Sequence, residues 1–264
     1  MWLGTSWKMS MTLASARAWV AEVTDRPLPP GVDAFVLPPH TALAAVAGAV
    51  PSGHGLRVGA QDAHWDDGPE WTGEVSVAQV ADAGAGIVEV GHSERRIGLG
   101  EDDGVVAAKL RAVLDGGLTP LLCVGESAGR RREGRALEHL TDQLASALRG
   151  LDGEEVRRVV LAYEPVWSIG AGGTPATPDD VAPVVAHLRR TGSALTDADP
   201  LAVLYGGGVD TANADVLLDT GVDGLFVGRA AWSAAGFRRL LGVVADRVAR
   251  DGGRSALPGL GAVR

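Results

Sequence analysis

Eight short apolar runs recur along this chain, each separated from the next by a stretch long enough to hold a helix. The runs are Trp2-Leu3-Gly4 and residues 34–37, 56–59, 87–90, 120–124, 159–162, 201–204 and 225–227. Most are continuously apolar rather than alternating, as expected of parallel strands covered on both faces. Between them lie amphipathic segments. Val106, Leu110, Val113 and Leu114 share one helical face, as do Val181, Val184, Val185 and Leu188, and Phe237, Leu240, Leu241 and Val244. Thr177-Pro178-Asp179-Asp180 reads as a helix start: a capping residue, proline in the first turn, then acids at the positive helix end. Eight such units leave two architectures, a closed barrel or a doubly wound open sheet. Periodicity alone does not choose between them, although no Gly-rich dinucleotide fingerprint follows the first run. The 264 residues fit one α/β barrel, and no interdomain linker interrupts them.

The formal net charge of −9 argues against nucleic acid or a membrane surface as partner, yet leaves room for a small anionic substrate at a locally positive site. Cys123 is the one cysteine, so no disulfide forms within the chain, which suits a reducing compartment. Its apolar surroundings suggest a buried core thiol. Residues 1–8 do not read as a signal peptide, and the alanine-rich residues 42–50 are too short to span a bilayer. A cytoplasmic protein is expected. No zinc-ligand spacing, Walker loop or Gly-x-Ser-x-Gly elbow is present, so no metal or cofactor is expected.

The residues that could carry chemistry fall just past the runs. Lys8 follows the first, His92 the fourth, Glu164 the sixth, Gly206-Gly207-Gly208 the seventh and Gly228-Arg229 the eighth. In a barrel those strand ends meet at one mouth, and glycines after strands seven and eight suit phosphate binding. Taken singly, each has a plainer explanation. A lone lysine is a solvated loop charge, and a glutamate before proline is a loop residue. His92 to Arg96 is a helix start with Ser93 or Glu94 capping and the arginines in water. Together they converge on one site.

Several segments carry a closer likeness. They are Ser6-Trp7-Lys8-Met9, Ala60-Gln61-Asp62, Trp71-Thr72-Gly73-Glu74, Gly91-His92-Ser93-Glu94-Arg95-Arg96 and Cys123-Val124-Gly125-Glu126. Ala162-Tyr163-Glu164-Pro165-Val166-Trp167, Tyr205-Gly206-Gly207 and Phe226-Val227-Gly228 complete the set. In order and spacing the chain resembles the triose-phosphate isomerase family from residue 2 to about residue 250. The resemblance implies a single (β/α)₈ TIM barrel over residues 1–251, with residues 252–264 as a loose extension. It implies Glu164 as catalytic base, His92 as neutral electrophile and Lys8 as the positive charge near the phosphate and developing oxyanion. Glu94 and Ser6 would support them. Residues 165–176 would be a lid, with Gly170, Gly172 and Gly173 giving amides to the phosphate beside Gly207, Gly208, Gly228 and Arg229. Arg95 and Glu126 would be structural. Thr72 would reach a neighbouring subunit's site in a homodimer, and no cofactor would be needed.

The chain departs from the family at informative places. Ser6 stands where the family carries Asn, Gly208 replaces a Ser and Arg229 replaces a Gly. The lid is one residue longer, and the third loop is aromatic through His64, Trp65 and Trp71. These features resemble a side branch that includes isomerases of four-carbon ketose phosphates, the erythrulose phosphates. With base, electrophile and lysine intact, the expected activity is the aldose–ketose interconversion of glyceraldehyde 3-phosphate and dihydroxyacetone phosphate. A tetrulose-phosphate isomerase is the alternative, and a catalytically idle phosphate-binding or assembly barrel is a third.

Overall fold

A computed structural model of the chain describes residues 1–170, 172–196 and 201–252. Eight strands form: β1 (Trp2–Ser6), β2 (Asp33–Leu37), β3 (Arg57–Ala60), β4 (Ile87–Val90), β5 (Thr119–Val124), β6 (Val160–Tyr163), β7 (Ala202–Tyr205) and β8 (Gly224–Val227). Each pairs in parallel with the next, and β8 closes on β1, so the sheet is a closed (β/α)₈ barrel. All eight apolar runs became strands. The first is longer than its apolar core suggested, because Thr5 and Ser6 extend β1 to the mouth and pair with Val36 and Leu37.

Strand periodicity divides the core in two. Trp2, Phe35, Leu37, Ile87, Leu121, Cys123, Val160, Ala162, Leu204 and Phe226 fill the barrel interior. The alternate residues, including Leu3, Val36, Val88, Leu122, Leu161, Val203 and Leu225, pack outward under the helices. The three anticipated helical faces are buried there, on Asp103–Asp115, Pro178–Thr196 and Ala234–Arg250. Helix starts are set by side chains. Thr12, Ser76 and Asp152 make reciprocal capping boxes, and Asp102, Ser127 and Ser233 accept from the first turn. At the anticipated start, the Thr177 amide and hydroxyl both donate to Asp180.

The alanine-rich segment holds a short helix, Leu43–Ala47, whose Leu43 and Val46 are buried. No described helix is long and apolar enough to cross a membrane. The last described helix ends at Arg250, and the extension expected over residues 252–264 lies, after Gly252, outside the described residues.

Candidate active site

The loops that follow the strands surround a cavity of about 430 Å³ at the mouth of the barrel. Ser6, Lys8, His92, Glu94, Glu164, Gly170, Gly173, Gly207, Gly208, Gly228 and Arg229 all line it. Gly172 does not, being exposed on the lid, and neither does Thr72, exposed on the third loop.

Lys8 sits two residues beyond β1 with φ of 49°, a left-handed conformation that a side-chain-bearing residue adopts only when its surroundings hold it there. The Gln61 amide does so, donating to the carbonyls of both Lys8 and Leu37 at 3.0 Å. The Lys8 ammonium then meets Glu94 Oε1 at 2.7 Å.

His92 is itself the cap of the helix Ser93–Gly98, a role the sequence assigned to Ser93 or Glu94. The Glu94 amide donates to His92 Nδ1 at 3.1 Å. An amide can only donate, so Nδ1 carries the lone pair and the proton of the neutral ring sits on Nε2. Burial, with the Lys8 charge nearby, pushes the imidazole down to about 4, so the ring is neutral near pH 7. Nε2 faces Glu164 Oε2 across 3.5 Å.

The arginines after His92 are not in water. Arg95 pairs with Asp62 at 2.8 Å and Glu101 at 2.7 Å, and both acids also bind the buried Lys109. Arg96 holds the Gly91 carbonyl and Asp103. The His92 helix is thereby bolted to the loop after β3 and to the helix Asp103–Asp115.

Glu164 follows β6, and two close approaches admit it. A Cβ on Gly206 would lie 2.7 Å from Glu164 Cγ, and one on Gly125 would lie 1.9 Å from the Glu164 carbonyl oxygen. Its side chain is buried, and Oε2 has no hydrogen-bond partner among the described residues. Burial, joined by the charge of Glu89, pushes its carboxyl up to about 8. A carboxylate near that value is a far stronger base than an exposed one.

Glu89 is a buried carboxyl beside the site that sequence reasoning passed over. It lies on β4, two residues from the inward Ile87, and only 2% of it is exposed. Ser6 Oγ donates to its Oε2 at 3.0 Å, and the Cys123 thiol lies 3.7 Å from Oε1. Burial pushes its carboxyl up to about 7, against the Ser6 hydrogen bond. Carboxylate oxygens of Glu89 and Glu164 and the Cys123 sulfur all lie within 4.8 Å of one another. Cys123 is the buried thiol that was expected, and burial raises its pKa well above the ordinary value.

The segment expected to form the lid, residues 165–176, is anchored at its start. Trp167 Nε1 donates to Glu126 Oε1 at 2.6 Å, and Arg131 stacks 3.9 Å over the indole while pairing with Asp180 at 2.6 Å. Ser168 Oγ accepts from the Gly208 amide at 3.1 Å, joining lid to glycine loop. Arg229 stays exposed at the mouth, where its Nη2 donates to the Gly170 carbonyl at 2.8 Å.

Among known proteins, residues 1–244 match the family described as triosephosphate isomerase. A protein of Mycolicibacterium smegmatis named L-erythrulose-1-phosphate isomerase is 45% identical over 252 residues, covering 93% of each chain. Proteins with the same name from Rhizobium etli and Mesorhizobium japonicum are 41% and 42% identical, covering 96% and 91% of this chain and 96% of each relative. These relatives overturn the expectation of triose-phosphate specificity, since each is named for a four-carbon ketose phosphate. Within the resemblance seen in the sequence, the erythrulose-phosphate branch is the one matched.

Proposed function

The chain belongs to the triosephosphate isomerase family and is an isomerase, and we propose that its substrate is L-erythrulose 1-phosphate, converted to erythrulose 4-phosphate by cofactor-free proton transfer. The carbonyl moves from C2 to C3, so reactant and product are both ketoses, unlike the aldose–ketose pair first expected.

Glu164 takes the proton from C3 and returns it to C2. The neutral His92 polarises the carbonyl through Nε2–H and passes protons between the two enediolate oxygens. Lys8, held by Gln61 and Glu94, offsets the charge that develops on those oxygens. Amides of Gly170, Gly172, Gly173, Gly207, Gly208 and Gly228 bind the phosphate with Arg229. Residues 165–176 close over it and exclude water, which limits loss of the enediolate. Gly172 reaches the phosphate only with a lid movement, since it stands outside the cavity wall here. The observation that carries the proton-transfer chemistry is the buried Glu164 carboxylate, without a hydrogen-bond partner at Oε2 among the described residues, facing a neutral imidazole across 3.5 Å. The relatives' names support the four-carbon substrate.

The enzyme works as a cytoplasmic homodimer in this reading. Met9, Trp65, Trp71, Ile97 and Leu99 are exposed on the segments that follow β1, β3 and β4, Ile97 within the helix Ser93–Gly98, all at the mouth end. A second copy would cover them and let Thr72 reach the neighbouring site. A monomer by sedimentation at assay concentration would contradict the dimer. The activity is tested by incubating purified protein with L-erythrulose 1-phosphate in D₂O and following the products by NMR. Appearance of erythrulose 4-phosphate with deuterium at the former carbonyl carbon is expected, and unchanged substrate would refute the assignment.

A further inference from the structure

We propose that Ser6 and Glu89 form a subsite for the terminal hydroxymethyl group of the four-carbon substrate, Ser6 touching that group and Glu89 positioning Ser6 from behind. The inference rests on the tetrulose-phosphate reading above and names the residues that discriminate chain length.

The geometry points inward from the reacting carbons. The lid and the glycine loops after β7 and β8 take one end of the cavity, where the phosphate is bound. C2 and C3 lie under Glu164 and His92. The C4 hydroxymethyl, attached to the carbon that loses its proton, extends from there away from the phosphate. Ser6 is a polar side chain of the cavity wall, at the end of β1 on the side opposite the lid in this reading. Its backbone is fixed by Trp232 Nε1, which donates to the Ser6 carbonyl at 2.9 Å. Its side chain is short, which leaves space for one more carbon.

The Ser6–Glu89 hydrogen bond fixes the hydroxyl's polarity. A serine hydroxyl carries one proton. Here that proton is directed to Glu89 Oε2 at 3.0 Å, so the lone pairs of Ser6 Oγ are left for a donor in the cavity. The substrate's terminal O–H is such a donor. Glu89 is not on the cavity wall and acts through Ser6. A carboxyl buried among the apolar interior side chains of the barrel carries a high desolvation cost. Barrel packing has no use for it, and setting the Ser6 hydroxyl does.

The test compares kcat/KM for L-erythrulose 1-phosphate with that for its 4-deoxy analogue, in which CH₃ replaces CH₂OH. The native protein, Ser6→Ala, Glu89→Leu and Glu89→Gln are each measured with both compounds. Within one sample the ratio is unaffected by the fraction of protein that folds. The native enzyme is expected to favour the hydroxylated compound by on the order of 10- to 100-fold. Ser6→Ala and Glu89→Leu should bring that preference to within about 3-fold, the scale of a lost contact without a hydrogen bond. Glu89→Gln, whose carbonyl still accepts from Ser6, should keep it. A native-size preference in both Ser6→Ala and Glu89→Leu would overturn the subsite while leaving the substrate assignment standing. A preference lost in Ser6→Ala but kept in Glu89→Leu would overturn the positioning role of Glu89. A native protein that isomerises glyceraldehyde 3-phosphate and no tetrulose phosphate would refute the substrate assignment and the subsite together.

Discussion

Replacing Glu89 by glutamine removes a charge and little else. The amide keeps the size of the carboxylate, and its carbonyl can still accept from Ser6 Oγ. What disappears is the negative charge within 4.8 Å of the Glu164 carboxylate. At that distance two full charges repel by about 3.5 kcal/mol at an effective dielectric of 20. At 1.36 kcal/mol per pKa unit, this corresponds to about 2.5 pH units. Lys8 opposes part of the repulsion, and the pair shares its protons, so a change of about one to two pH units is expected. The sign follows from the active form. Glu164 works as a carboxylate, and removing a neighbouring negative charge makes that form easier to reach. The acid limb of kcat/KM should therefore fall between about pH 7 and 8 in the native enzyme and move lower in Glu89→Gln. At pH 6 the variant should be faster than the native enzyme by about ten-fold. Its plateau should be somewhat lower, because a less basic carboxylate removes a proton less readily. Steady-state rates from pH 5 to 9.5 with L-erythrulose 1-phosphate measure this directly, at about half-unit steps. An acid limb that does not move would refute the coupling between the two carboxylates.

The same substitution has a stability consequence. Burial holds Glu89 and Glu164 above the ordinary carboxylate value, so the protonated forms favour the fold and that contribution is lost as pH rises through about 7 to 8. Urea unfolding at pH 9 should show Glu89→Gln to be more stable than the native protein, with the difference shrinking below pH 5; equal stability at pH 9 would contradict it. Glu164→Gln should lower kcat by on the order of 10²- to 10⁴-fold with no loss of stability to urea, and near-native turnover would remove Glu164 as base. Lys109→Met leaves Asp62 and Glu101 buried without their ammonium, so urea unfolding should show a loss of about 3 kcal/mol, and a change below about 1 kcal/mol would contradict the bolting role of this network. Arg229→Ala removes the hydrogen bond to the Gly170 carbonyl and a cation at the phosphate end. It should raise KM by about ten-fold or more with a smaller effect on kcat, and an unchanged KM would show that Arg229 serves neither lid nor phosphate.

Much of the fold was legible because buried parallel strands leave continuous apolar runs, and each of the eight became a strand. Barrel closure was not legible from periodicity, since an open parallel sheet produces the same runs; it came from the likeness of whole segments. Lys8, His92 and Glu164 stood out because charged and polar residues at strand ends interrupt apolar runs. Glu89 did not stand out, because it lies inside the run 87–90, and only strand parity with Ile87 would have turned it toward the interior. The capping role of His92 was missed because histidine is an uncommon cap, while Ser93 and Glu94 beside it are ordinary ones. The arginines that looked solvated are held by Asp62, Glu101 and Asp103, partners from other segments that local pattern cannot pair. The substrate was misjudged for a related reason. The catalytic groups are common to the family and were weighted most, whereas the departure at Ser6, which lines the same cavity, was weighted less.

The most direct test is a comparison of kcat/KM for L-erythrulose 1-phosphate and glyceraldehyde 3-phosphate with the same purified native protein. A preference for the tetrulose phosphate of at least about ten-fold, or about 1.4 kcal/mol in transition-state binding, is expected. A preference of that size for the triose phosphate would contradict the four-carbon assignment.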